Sequence, residues 1–82
     1  MSLTEDLADK LAADTLAAME RTGDDRLYLE VGKAIGVLSP SMQEAFLSSC
    51  RLMLAAGRGR RFLDERMAQA MAPDSGRDNG HD

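Results

Sequence analysis

Ser39-Pro40-Ser41-Met42-Gln43-Glu44-Ala45-Phe46-Leu47-Ser48-Ser49-Cys50-Arg51-Leu52-Met53-Leu54-Ala55-Ala56-Gly57 decides how the rest of the chain is read. Ser39 is placed to cap a helix, Pro40 suits the first turn, and Ser41 with Glu44 offers an alternative capping box. Met42, Ala45, Phe46, Ser49, Cys50, Met53 and Ala56 then recur at helical spacing, which predicts a helix from Pro40 to Ala56 with Gly57 as its stop. A second apolar strip, Leu47, Cys50 and Leu54 with Leu52 nearby, widens the hydrophobic surface. A helix of that width belongs at the centre of a bundle or is shared between a core and a partner.

Working outward, residues 4–22 read as an amphipathic helix. Leu7, Ala8, Leu11, Ala12, Thr15, Ala18 and Met19 share a face, Ser2 or Thr4 supplies the cap, and Gly23 ends the run. Asp24 or Asp25 is placed to cap a second segment, 26–38, with Leu27, Val31, Ala34, Ile35 and Leu38 at helical positions. Leu27-Tyr28-Leu29-Glu30-Val31 also alternates like a strand, but a lone strand would have no partner in this chain, so helix is the expectation. Gly32 and Gly36 weaken that helix by about 1 kcal/mol each relative to Ala. Four residues apart, they suit the close approach of another helix. After Gly57-Arg58-Gly59-Arg60-Arg61, read as a loop, a fourth helix is expected over 61–72, with Phe62, Leu63, Met67, Ala70 and Met71 as its apolar side. Pro73 to Gly76 closes it, and residues 73–82 read as a disordered polar tail.

Composition bounds what such a chain can bury. Of 82 residues 44% are hydrophobic, but twelve of these are Ala and only 4% of the chain is aromatic. A chain of this size is near the lower limit for a self-sufficient core, which makes self-association an expected way to bury more. The formal charge of −4 is unevenly spread: residues 1–41 carry eight acids and four bases, residues 42–72 three acids and five bases. An acidic first half argues against broad electrostatic attraction to nucleic acid or an anionic membrane. No apolar run approaches the ~20 residues that span a bilayer, and the N-terminus does not read as a signal peptide, so a cytoplasmic protein is expected.

The inventory for chemistry is short. His81, the only histidine, lies in the tail, which leaves no base for a Ser-His-Asp or Cys-His arrangement. Cys50 is the only cysteine, falls at an inward position and reads as a small buried hydrophobe. Two His or Cys residues in total do not make a zinc site, and no Glu-x-x-His pair is present. The carboxylates are explained by solvated faces and helix starts. Neither a catalytic residue, a metal nor a cofactor is therefore expected. The exception to this plainness is Arg51, Arg58, Arg60, Arg61 and Arg66, five guanidinium groups in sixteen residues. Held on a flexible Gly-Arg loop they would suit phosphates or acidic groups of a partner.

Leu38-Ser39-Pro40 followed by Glu44-Ala45-Phe46-Leu47 resembles the opening helix of region 4 in bacterial sigma factors, over about a third of the chain. That resemblance would imply a helix-turn-helix reading promoter DNA. The sequence departs from it at Gly57-Arg58-Gly59-Arg60-Arg61 and has no full recognition helix before Pro73, so the shared residues are read as capping chemistry.

The reading as a whole is an all-α single domain over residues 1–72, a small bundle of three to four short amphipathic helices, acting as a non-enzymatic interaction or regulatory protein. A homodimer is expected, associating through helices 3 and 4 with Phe46, Leu47, Met53, Leu54, Phe62 and Met67 as contact residues; an unidentified protein partner is the other possibility on this reading. The alternative is a small nucleic-acid-binding protein using Arg58, Arg60 and Arg61.

Overall fold

A computed structural model describes residues 2–72. Among these the chain forms three helices, α1 Leu3–Thr22, α2 Leu27–Gly36 and α3 Pro40–Met71. The tail expected over 73–82, with His81, lies outside the described residues.

The start of α1 follows from local chemistry. Ser2 is the N-cap, its hydroxyl accepting from the Glu5 amide at 3.1 Å, and Glu5 and Asp6 sit at the positive end of the helix dipole. Gly23 ends the helix with φ 76°, and its amide donates to the Met19 carbonyl at 2.8 Å. This left-handed conformation suits glycine, which has no Cβ to clash. The Asp24 and Arg26 amides then donate to Thr22 Oγ1 and Asp24 Oδ1, so side chains satisfy the turn. Arg26, not Asp24 or Asp25, occupies the N-cap position of α2, without a side-chain cap. Asp24 instead closes an Asx turn.

The segment that alternates like a strand is helical, and α2 is shorter than the sequence suggests. It stops at Gly36, which leaves Val37 82% and Leu38 92% exposed. Leu38 is therefore not on the buried face expected of it. Gly32 is buried, and a Cβ added there would lie 3.0 Å from Leu47 Cδ2; one added at Gly36 would collide with Gln43. The glycine pair lets α2 lie close against α3.

The N-cap of α3 is Ser39, which accepts from the Met42 amide at 3.1 Å; the Ser41–Glu44 box is not used. Phe46 and Cys50 then join Ala8 and Ala12 of α1 in the fully buried centre. Small alanines on α1 leave room for the Phe46 ring between the helices. Leu11, Tyr28, Val31, Ile35, Ala45, Leu47 and Met53 pack around this centre. Thr15 is buried beside it, and its hydroxyl donates to the Leu11 carbonyl at 2.8 Å.

The principal correction concerns Gly57. The helix does not stop there, no loop spans Gly57 to Arg61, and no separate fourth helix follows. One helix of 32 residues, about 48 Å long, runs to Met71. Three helices fall within the expected three to four, but the third is not short. A stop would leave the last four carbonyls of one helix and the first four amides of the next to be satisfied. Around Gly57 the sequence supplies no Asp, Asn, Ser or Thr to do so. Two glycines in a continuing helix cost about 1 kcal/mol each relative to Ala, less than that interruption. The result is elongated, 63 × 29 × 15 Å, with a radius of gyration of 18.7 Å where a compact 100-residue domain has about 13 Å.

Candidate functional site

The body of the molecule is α1, α2 and the first half of α3. Beyond Gly57 the third helix leaves it, and every residue from Arg58 to Ala72 is exposed. Nothing lies within 4 Å of a Cβ built at Gly57 or Gly59. The projecting half nevertheless carries large apolar side chains: Phe62 is 60% exposed, Leu63 46%, Met67 51% and Met71 77%.

The six contact residues expected from sequence divide between two settings. Phe46 is fully buried in the chain's own core, and Leu47 and Met53 are half-buried against it, Leu47 on Gly32. Leu54, Phe62 and Met67 are exposed. Leu54 lines an open depression with Leu16, Met19 and Gly23 where the helix leaves the body. Leu52, Leu63 and Met71 also stand exposed, although sequence reasoning did not choose them. The signal was available: continuing the helical spacing straight through Gly57 places Leu52, Ala56, Leu63 and Ala70 on one line.

The arginines are arranged differently from a basic loop. In a helix Arg58 and Arg60 point about 200° apart, and Arg61 lies a further 100° round. Arg58 and Arg61, three residues apart, share one face about 60° wide, while Arg60 stands on another, so the three guanidinium groups do not converge on one ligand. Arg60 Nε is 3.5 Å from Asp64 Oδ1 one turn on, and Arg66 lies 5.5 Å from the centre of the Phe62 ring. Both are solvent-exposed contacts of small energy.

Cys50 is buried in the body, and burial pushes its thiol pKa up, with Arg51 acting less strongly the other way. The thiol is thus held neutral, away from the thiolate form that reacts. Ser49 Oγ donates to the Asp9 carboxylate at 2.5 Å, a polar tie between α3 and α1. Among the described residues no group of three His, Cys, Asp or Glu side chains is placed to hold a metal ion, and no helix is long and apolar enough to cross a membrane.

Compared with protein-family models, curated proteins and solved structures, the chain matches none.

Proposed function

We propose that this is a non-enzymatic interaction protein that self-associates through α3, with the projecting half from Arg58 to Met71 as its contact. The observation that carries the reading is a 14-residue stretch of helix, begun by glycines, on which no other described element packs. Isolated helices of this length are marginal in water, and most helical stability in proteins comes from packing an apolar face. Full burial of a Leu, Met or Phe side chain contributes about 1.5–3 kcal/mol. Covering the exposed parts of Leu63, Met67 and Met71 together therefore outweighs the glycine penalty of about 2 kcal/mol. A homodimer is the simplest closed assembly for such a surface.

The test compares the wild-type chain with Leu63→Asp/Met67→Asp by light scattering coupled to gel filtration, and by amide hydrogen exchange. Both residues are exposed in the single chain, so the α1–α2 body remains folded in the variant. The expected result is a wild-type dimer with protected amides from Leu63 to Met71, and a monomeric variant in which those amides exchange freely while Phe46 and Cys50 stay protected. A wild-type chain that is monomeric at its highest soluble concentration overturns the reading.

A further inference from the structure

The exposed face of α3 has a direction and a pattern of its own. Leu52, Ala56, Gly59, Leu63, Met67 and Ala70 follow at spacings of three and four, within about 80° of arc on a helix. This stripe lies about 100° round from the line of Phe46, Cys50 and Met53 that faces the core. It is a second face, beginning on the outside of the body at Leu52, which is 71% exposed, and running to the tip. Its residue sizes are uneven: small at Ala56 and Gly59, large at Leu63 and Met67.

We infer that two copies of this chain pair antiparallel along this stripe, with Leu63 of each beside a shared two-fold axis. The inference rests on the self-association reading and specifies its geometry. With Leu63 on the axis, Met67 of one copy lies opposite Gly59 of the other, where nothing occupies the space a Cβ would take. Ala56 comes level with Ala70. Each Met67 thus falls where the other copy has no side chain, on either side of the central leucines, and the ends of the overlap close on alanine pairs. A parallel pair would instead set Gly59 on Gly59 and Met67 on Met67, thin at one level and thick at the next.

Charge favours the same choice. Residues 1–41 hold eight acids against four bases, and a parallel pair would bring two such bodies together at one end. It would also put Arg58, Arg60 and Arg61 level with their own copies. The antiparallel pair sends the bodies to opposite ends. It brings Arg60, on one edge of the stripe, within about half a turn of Asp64 on the same edge of the second copy. Arg60 already reaches Asp64 of its own chain, so the edge becomes a cluster in which two aspartates lie between two arginines.

Spin-label distances decide the geometry. Ser48 is exposed and beyond the overlap, and Cys50 is buried with its thiol protonated, so Ser48→Cys can be labelled selectively. An antiparallel dimer places the two labels about 45 Å apart along the axis. A parallel one places them within about 25 Å, level with each other across paired helices. As a second reading, mixing Ala56→Cys with Ala70→Cys chains should give disulfide-linked mixed dimers, while neither chain links to itself. A distance near 45 Å with mixed cross-links supports the inference. A short distance with self-linked chains overturns it and leaves self-association standing. A monomer without intermolecular coupling overturns both.

Discussion

The two halves of α3 share one backbone and have opposite surroundings. From Pro40 to Ala56 the helix is the spine of the body, with Phe46 and Cys50 fully buried between α1 and α2. From Gly57 to Met71 it carries side chains of the same kinds, Phe, Leu and Met, exposed and with no other described element beside them. The difference comes from supply. α1 is 20 residues, about 30 Å, and α2 only ten, so neither extends alongside the whole of a 48 Å helix. Apolar spacing is necessary for burial and does not ensure it: a face is covered only where another element has surface to offer.

The same substitution in each half gives the widest separation. Phe46→Ala should cost about 3–5 kcal/mol in urea unfolding, enough to unfold much of a chain this small, because it empties the centre of the core. Phe62→Ala should cost less than about 1 kcal/mol, chiefly its exposed contact with Arg66. Equal losses would mean the projecting half is packed against something within the monomer.

Glycine substitutions should differ in sign. Gly57→Ala should raise the thermal midpoint, gaining up to about 1 kcal/mol, since the site is helical and open. Gly23→Ala should lower it by about 1–2 kcal/mol, because φ 76° is unfavourable for a residue with a Cβ. A destabilising Gly57→Ala would mean that the continuous helix does not persist through this position.

The body half should also show a pH dependence that comes from Cys50. The raised pKa of Cys50 means that the folded state keeps a neutral thiol where the unfolded chain ionises. Its contribution is complete below the unfolded value near 9 and is lost as pH rises towards the folded one. Urea midpoints measured from pH 7 to pH 10 should fall less steeply for Cys50→Ala than for the wild type. Smallest of all, Arg60→Ala should change monomer stability by no more than about 0.5 kcal/mol, since its ion pair with Asp64 is exposed.

Much of the architecture was legible before any coordinates. The start and stop of α1, the cap at Ser39, the use of Gly32 and Gly36 for close approach, and the inward position of Cys50 all follow from residues within a few places of one another. The errors share a cause. A glycine after an apolar helical run reads as a stop at both Gly23 and Gly57, yet Gly23 is followed by Asp24, whose carboxylate accepts from the Arg26 amide, and Gly57 by Arg58, which has no such acceptor. Leu38 was assigned to a buried face that ends two residues earlier, at Gly36. Phe46 was offered as a contact residue because its spacing cannot distinguish a chain's own core from a partner's.

What the sequence determined by itself is the set of local decisions: an all-helical chain, serine caps at Ser2 and Ser39, and the stop at Gly23. Capping and periodicity act between neighbours in the chain, so they can be read from neighbours. Whether Gly57 breaks or continues α3, and which of Phe46, Leu54, Phe62 and Met67 is covered, was decided only by the tertiary structure. Continuation weighs two weak helix formers against eight unsatisfied backbone groups, and coverage depends on where α1 and α2 run out, a quantity set by elements distant in sequence.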